Sequence, residues 1–94
     1  MRSFYVYMLS NSQIRPIYIG VTNDLGRRIN EHKQKVIDNY TAKYNLNILL
    51  WYEEFNNPED AIAREKQLKN WHKEWKLNLI KEENPEFSDL SLDL

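Results

Sequence analysis

Two short segments near the N-terminus, rich in aromatic and β-branched residues, most constrain what this chain can fold into. They span residues 4–9 (Phe-Tyr-Val-Tyr-Met-Leu) and 17–22 (Ile-Tyr-Ile-Gly-Val-Thr). The segment between them, Ser-Asn-Ser-Gln-Ile-Arg-Pro, has the composition of a turn. Two such runs so close in sequence predict an antiparallel hairpin.

The next part of the chain predicts a helix and then a third strand. Asp24 is a candidate N-cap residue. After it, core-type residues recur at helical spacing: Leu25, Ile29, His32 and Val36. This pattern predicts a first helix that extends to about residue 38. Residues 46–55 form a short apolar run with Trp and Tyr, which favours a buried strand.

The second half of the chain predicts two helices. Asn57 and Pro58 favour a helix start, because asparagine caps free backbone amides and proline suits the first turn. Apolar residues continue at helical spacing to Ile80, which is long for a small domain, so we expect a kink or a short break near Trp71 to Lys73. The order β-β-α-β-α-α predicts an α+β fold, in which helices pack against a three-stranded antiparallel sheet.

The composition restricts the possible classes of protein. With 94 residues, 41% of them hydrophobic, the chain can form one compact domain; we expect a domain at residues 1–83 and an acidic tail at 84–94. The absence of cysteine excludes a disulfide framework and a thiolate metal site. Every apolar run is far shorter than the ~20 residues that span a bilayer, and the N-terminus lacks a signal-type segment. We therefore expect a cytoplasmic protein with no membrane partner.

The net charge of −1 at pH 7 conceals an uneven distribution. All 13 Lys and Arg residues lie in residues 1–81, together with nine acidic residues, so this part carries a net charge of +4. The other five acidic residues lie in the last thirteen positions without a basic partner. A mildly basic body suits a nucleic-acid partner, although a soluble surface with scattered charge explains these counts equally well.

Glu65 interrupts an otherwise apolar helical stripe. At about 100° per residue, its apolar neighbours Ala61, Ile62 and Leu68 project within about 60° of it. Burial of an unpaired carboxylate is costly, so Glu65 requires a cation, a hydrogen-bonded partner or a metal. The pattern alone leaves a buried ion pair with an arginine equally open.

Further polar or small residues depart from the patterns around them. Arg28 and His32 lie one turn apart at the margin of the core face of the first helix. A histidine there is more often structural than catalytic, but the neighbouring arginine favours a phosphate-binding edge. Tyr7 and Tyr18 fit the core of the sheet, where their hydroxyls would need partners. Gly20 interrupts a strand pattern, which indicates a bulge or a close approach by another backbone or a ligand.

Taken together, these residues resemble the motifs of the GIY-YIG nuclease superfamily. The segment Tyr18–His32 (Tyr-Ile-Gly-Val-Thr-Asn-Asp-Leu-Gly-Arg-Arg-Ile-Asn-Glu-His) resembles the second family motif and its following arginine and histidine. Tyr5–Tyr7 (Tyr-Val-Tyr) stands where the family has Gly-Ile-Tyr, and Ala63–Lys69 with Trp71 resembles the helix that carries the metal-binding glutamate. The resemblance covers residues 4–82 and is closest to the small, stand-alone bacterial branch.

The resemblance implies a role for each matching residue. Glu65 would be the single protein ligand to one Mg²⁺ or Mn²⁺ ion, whose other ligands are water and a phosphate oxygen. Arg28 would stabilise the extra negative charge on phosphorus in the transition state. Tyr7 and Tyr18 would orient or deprotonate the attacking water, and His32 would assist as a proton acceptor.

Other positions in the motifs bear on binding. The resemblance implies that Gly20 lets the strand backbone approach the site and that Thr22 donates to phosphate. Val21 stands where repair members of the family carry a lysine, so a second cation near the nucleophile must come from elsewhere or is lost. Homing members have a C-terminal asparagine, and both Asn78 and Asn84 are possible counterparts.

The resemblance implies a metal-dependent endonuclease that hydrolyses phosphodiester bonds in DNA, or alternatively in RNA, and that selects the structure of its substrate more than its base sequence. It would act as a monomer or weak homodimer. A rival hypothesis is a nucleic-acid-binding module that keeps the fold with weak or no catalytic activity. A third, purely structural interpretation requires every anomalous polar group to be satisfied internally.

Overall fold

The computed structural model describes residues 3–36 and 39–94, which contain three strands, four α-helices and one short 3-10 helix. In chain order these are β1 (Phe4–Ser10), β2 (Tyr18–Thr22), α1 (Leu25–Lys33), α2 (Asn39–Lys43), β3 (Ile48–Phe55), α3 (Pro58–Lys69), α4 (Lys73–Glu83) and the 3-10 helix Leu90–Asp93. This order confirms the predicted α+β fold class; α2 and the 3-10 helix are additions to it.

The three strands form one antiparallel sheet in the order β2-β1-β3. The first strand of the hairpin is therefore central, and β2 is an edge strand. Residues Val6 to Ser10 of β1 are all buried, because helices cover both faces of the sheet at this strand. A strand covered on both faces loses the usual alternation of apolar and polar residues, as its sequence shows.

Each face of the sheet has its own hydrophobic core. Side chains of neighbouring strand residues point to opposite faces. On one face, Val6 and Met8 pack with residues of α3 and α4, namely Ala61, Leu68 and Ile80. On the other face, Tyr7 and Leu9 pack with residues of α1 and of the segment before β3, namely Leu25, Ile29 and Leu46. We call these the α3 face and the α1 face.

The predicted capping residues begin their helices, but α1 is shorter than predicted. The side chain of Asp24 accepts a hydrogen bond from the Arg27 amide at 3.1 Å. The α1 helix ends at Lys33, because Lys35 adopts a left-handed backbone with φ of 60°. Val36 is 64% exposed, so its helical spacing was coincidental and the predicted extension over residues 34–36 is wrong. Residues 37 and 38 lie outside the described part of the chain.

The second predicted helical segment begins at its cap and breaks where expected. Asn57 accepts a hydrogen bond from the Asp60 amide at 2.8 Å, with Pro58 in the first turn. The chain leaves the helix after Lys69 and begins α4 at Lys73, which confirms the expected break. Within the described ranges, no helix is long and apolar enough to cross a membrane.

The segment after α4 packs back on the sheet. The side chain of Asn84 is buried and donates to the carbonyl of Leu50 at 3.1 Å. Asp89 accepts from the Leu49 amide at 3.1 Å and from Lys33 Nζ at 2.8 Å. Burial alone would raise the pKa of the Asp89 carboxyl, but these hydrogen bonds and those from Ser91 outweigh it and lower the pKa.

Candidate active site

Tyr7, Tyr18 and His32 come from three different elements and meet on the α1 face of the sheet. The Tyr7 hydroxyl lies 3.1 Å from Nε2 of His32. The centroids of the three rings lie between 5.5 and 6.3 Å apart, in tilted or edge-to-face contact. These are geometries that aromatic rings favour. The structure therefore brings together three residues that the sequence analysis assigned to catalysis, and we call them the tyrosine–histidine cluster.

Both ring nitrogens of His32 have hydroxyl partners. Nδ1 lies 3.1 Å from Oγ1 of Thr41 on α2, which completes a hydrogen-bonded chain from Tyr7 through His32 to Thr41. All three residues are buried. A neutral imidazole donates from one nitrogen and accepts at the other, so the chain fixes the ring and can relay one proton.

Gly20 makes room for Tyr7. The two residues are cross-strand partners on β2 and β1. A Cβ atom at Gly20 would lie 2.5 Å from both Cζ and the hydroxyl oxygen of Tyr7. The close approach expected at this glycine is therefore made by the tyrosine ring, which lies directly on the glycine backbone. Gly20 therefore allows Tyr7 to take this position, and the Tyr7 hydroxyl in turn holds the His32 ring.

The two tyrosines differ in their access to solvent. Tyr7 is fully buried, whereas Tyr18 is only partly buried. Tyr18 lies on the edge strand β2 and packs on both Tyr7 and His32. Of the two tyrosines, Tyr18 is therefore the one that solvent reaches.

Arg28 lies on α1, one turn before His32. Its side chain is 34% exposed, and its Nε lies 3.4 Å from Oε1 of Glu31. The contact lacks hydrogen-bond geometry, so the buried Nε atom has no hydrogen-bond partner. A partly exposed ion pair of this kind contributes little to stability. A phosphate could therefore recruit this guanidinium at small cost to the fold.

Glu65 has a basic partner, but it is not an arginine. Its Oε2 lies 3.0 Å from Nζ of Lys69, one turn later on α3. The Glu65 side chain is 17% exposed and that of Lys69 54%. The nearby Arg64 instead pairs with Glu53 at 3.0 Å. The cation expected beside Glu65 is therefore Lys69, whose side chain is largely exposed.

The single carboxylate of Glu65 fits a metal site whose other ligands are water and phosphate. Within residues 3–36 and 39–94, no group of three or more His, Cys, Asp or Glu side chains is placed to hold a metal ion. Mg²⁺ binds through one or two carboxylates and otherwise keeps water and substrate phosphate as ligands. The Glu65 carboxylate fits such a site once Lys69 moves away, because it is a hard oxygen donor at the margin of solvent.

The candidate site spans the edge of the sheet. The tyrosine–histidine cluster and the helix that carries Arg28 lie on the α1 face. Glu65 lies on α3, which packs on the opposite face against β1 and β2. The edge strand β2 separates the two groups, with Tyr18 and Gly20 facing one side and Val21 the other. A substrate that touches all of these residues must lie along this edge.

Two other candidate residues have local structural roles, and a third lies exposed on the surface. The hydroxyl of Thr22 accepts from the Asp24 amide at 3.1 Å, so it stabilises the turn into α1. Asn84 is buried and hydrogen-bonded to the main chain, while Asn78 lies exposed on α4. The hydrogen bonds of the Asn84 side chain thus stabilise the fold.

Two residues at the site escaped the sequence analysis. Thr41 belongs to α2, a helix too short to leave an amphipathic pattern, so nothing in the sequence marked its hydroxyl as a partner of His32. Lys69 is the lysine four residues after Glu65, a spacing typical of helical ion pairs. That spacing was visible, and it would have identified the partner of Glu65.

Comparisons with known proteins identify relatives of this chain. Residues 3–78 match the family described as the GIY-YIG catalytic domain. A UPF0213 protein of Clostridium perfringens is 36% identical over 87 residues, which cover 87% of this chain and 92% of that protein. A UPF0213 protein of Staphylococcus aureus is 29% identical over 82 residues, covering 87% of this chain and 99% of its own.

A solved structure has a similar fold. The solution NMR structure of a UPF0213 protein from Bacillus halodurans superposes with a TM-score of 0.59 at 25% identity, covering 93% of this chain and 92% of that one. The family match spans both faces of the site, from β1 through Glu65 and into α4. The chain therefore belongs to the GIY-YIG catalytic domain family, a family of nucleases, and its relatives include the small UPF0213 proteins.

Proposed function

We propose that this chain is a divalent-metal-dependent endonuclease that hydrolyses phosphodiester bonds in DNA, with RNA as a second candidate substrate. The observation that carries the proposal is the tyrosine–histidine cluster, in which residues far apart in sequence converge beside Arg28. Few side chains project beyond the fold to contact bases, so we propose that selection depends on substrate shape more than on sequence.

The described side chains divide the reaction among them. Tyr18, the accessible tyrosine, orients a water molecule for attack on phosphorus. The buried pair of Tyr7 and His32 supports this step, because the imidazole ring of His32 can accept a proton and return it. Arg28 neutralises the charge that develops on the phosphate oxygens. One phosphorus–oxygen ester bond breaks as the water oxygen bonds to phosphorus, and the departing oxygen gains a proton.

Glu65 would hold a Mg²⁺ or Mn²⁺ ion, which supplies Lewis-acid chemistry at the phosphate when bound. Its own contribution is a negative charge at the sheet edge, on the side opposite the tyrosine–histidine cluster. Lys69 neutralises this charge at 3.0 Å when no other cation does. We propose that the lysine exchanges with the metal and then contacts the substrate backbone.

The direct test is cleavage of labelled DNA by the wild type and by the Glu65→Ala and Arg28→Ala variants. Single-stranded, duplex, nicked and branched substrates are compared in Mg²⁺, Mn²⁺ or EDTA. We expect metal-dependent products from the wild type and a loss of about 10²–10³-fold in rate for each variant. Absence of metal-dependent cleavage of every substrate would refute the proposal.

Matched controls separate chemistry from folding. Lys66→Ala changes an exposed residue next to Glu65, and Arg27→Ala removes an exposed arginine next to Arg28. Both controls should fold and cleave like the wild type. If Arg27→Ala lost as much activity as Arg28→Ala, general basicity of α1 would explain the effect instead of a transition-state contact.

A second candidate function is a nucleic-acid-binding module with weak or no catalytic activity. The ion pair between Glu65 and Lys69 favours it, because the candidate metal ligand already has a cationic partner. This function predicts an affinity for nucleic acid that EDTA leaves unchanged. It also predicts that Glu65→Ala alters neither binding nor products, whereas the nuclease requires that carboxylate.

A further inference from the structure

An open groove of about 640 Å³ lies on the surface of the domain. Its walls are the loop between β1 and β2, the helix α2 and the first turn of α4. Ile17 in this groove directly precedes Tyr18, and Tyr40 directly precedes Thr41, the partner of His32. The lining of the groove thus contains the sequence neighbours of Tyr18 and Thr41.

Three cations converge on this groove. Arg15 comes from the β1–β2 loop, while Lys73 and Lys76 lie one turn apart on α4. In the described part of the chain, none of the three forms an ion pair with a carboxylate, unlike Lys33 or Lys69. Burial also lowers the pKa of Lys76, so a bound anion would restore stability to its charged form. These features suit a negatively charged ligand.

Two tyrosines also line the groove. Tyr40 and Tyr44 lie one turn apart, with ring centroids 5.0 Å from each other. They are 48% and 39% exposed, respectively, although tyrosine rings usually bury most of their area. Lys43 lies over the Tyr44 ring at 5.3 Å from its centroid. The groove thus presents exposed aromatic surface as well as cations.

Asn11 holds the walls of the groove together. Its Nδ2 donates to the carbonyl oxygens of Arg15 at 2.7 Å and Tyr44 at 2.8 Å. Its Oδ1 accepts from the amides of Gln13 and Arg15. One side chain thereby ties the β1–β2 loop to the end of α2. The spacing between Arg15 and the tyrosines is set before any ligand binds.

We propose that this groove binds a single-stranded segment of nucleic acid, with bases stacked on Tyr40 and Tyr44 and the backbone phosphates on Arg15, Lys73 and Lys76. The choice of nucleic acid rests on the function proposed above. Aromatic platforms combined with a line of cations are the usual means of binding unpaired strands. The groove would deliver the strand to Tyr18, so the substrate carries an unpaired segment beside the cleaved bond.

The aromatic wall distinguishes an unpaired strand from other anionic ligands. Bases in a duplex are stacked on each other and do not offer their faces to a tyrosine, so a duplex would use only the cations. An acidic peptide would likewise need the cations alone. Replacement of an exposed tyrosine should therefore weaken the binding of a single strand but not the binding of a duplex or an acidic peptide.

The test is binding of a fluorescent oligothymidylate in EDTA, measured by anisotropy, so that no cleavage is required. We expect Tyr44→Ala to weaken binding about tenfold through the loss of one stacked base, and Tyr44→Phe to retain it. Lys76→Gln should weaken binding and reduce the slope of log affinity against log salt by about 0.7, the value for one phosphate of a single strand. A duplex of equal length should bind equally well to the wild type and Tyr44→Ala.

Two matched variants lie outside the groove. Tyr52→Ala removes a tyrosine of similar exposure, 38%, from β3, and Lys81→Ala removes an exposed cation from the far end of α4. Both should bind the oligonucleotide like the wild type. The proposal is overturned if these controls lose as much affinity as the groove variants, if Tyr44→Ala binds like the wild type, or if the wild type forms a dimer that Tyr44→Ala abolishes.

The outcomes for groove and nuclease are separable. Groove-dependent binding without metal-dependent cleavage of any substrate would support the groove and refute the nuclease. Metal-dependent cleavage that both Tyr44→Ala and Lys76→Gln leave unchanged, together with unchanged binding, would support the nuclease and overturn the groove.

Discussion

The substitution Gly20→Ala tests the central packing relation of the site. Gly20 has no positive φ, so its backbone conformation is open to any residue and its role is to provide space. The added methyl carbon would lie 2.5 Å from Cζ of Tyr7. Carbon atoms pack best at about 3.5–4.0 Å, so the contact is too short by about 1 Å.

Tyr7 cannot relieve this contact cheaply. Its ring is fully buried and its hydroxyl is hydrogen-bonded to His32 at 3.1 Å. Overpacking of a filled core generally costs about 1–3 kcal/mol. In a domain of this size, each kcal/mol lowers Tm by about 4–8 °C. We therefore expect Gly20→Ala to lower Tm by at least about 4 °C in a thermal melt followed by circular dichroism.

Gly26 provides the matched control with the opposite sign. It lies exposed on α1, and a Cβ atom there would meet nothing within 4 Å. Alanine in a helix is favoured over glycine by about 0.5–1 kcal/mol, so Gly26→Ala should raise Tm. Adding Tyr7→Leu to Gly20→Ala should cost less than the sum of the two single changes, because the shorter side chain leaves space for the methyl group. A Gly20→Ala protein as stable as the wild type would refute the packing argument.

Three further predictions concern individual polar contacts. Thr41→Val removes the hydroxyl bonded to the histidine ring and should lower the free energy of unfolding by about 1 kcal/mol in urea titrations, whereas Thr41→Ser should preserve it. The pKa of Asp89 is lowered in the folded protein, so its contribution to stability is fully present above the unfolded pKa of about 3.9 and is lost as the pH falls further. The difference in Tm between the wild type and Asp89→Asn should therefore be smaller at pH 3 than at pH 7. Lys69→Gln should lower the Mn²⁺ concentration needed for half-maximal binding or activity, because it removes the ion-pair partner of the Glu65 carboxylate. Lys66→Gln is the control, and the same Mn²⁺ concentration for both variants and the wild type would contradict this prediction.

Local signals in the sequence sufficed for most of the fold. The two aromatic and β-branched runs became β1 and β2, and the caps at Asp24 and Asn57 begin their helices. These features depend on neighbouring residues, which a sequence displays directly. The end of α1 was predicted wrongly, because the left-handed backbone at Lys35 stops the helix while the apolar spacing continues to Val36.

The sequence indicated which residues of the candidate site lie together, but not their geometry. Family motifs identified Tyr7, Tyr18 and His32 as members of one site, and the structure brings them together. Which tyrosine is buried depends on the central position of β1, a property of the whole sheet. The hydroxyl of Thr41 on the short helix α2 contacts His32, and a contact of this kind leaves no periodic signal in a sequence.

The candidate site is divided between the two faces of the sheet at the edge strand β2. An edge strand is approachable from both sides, so β2 presents Tyr18 toward the α1 face while α3 places Glu65 on the other. Glu65 forms its ion pair with Lys69 on its own helix. Loss of Glu65 should therefore leave the tyrosine–histidine cluster and its stability intact. A Glu65→Ala protein that retains wild-type Tm but has no metal-dependent cleavage would locate the chemistry at this edge, while a large fall in Tm would instead assign Glu65 a structural role.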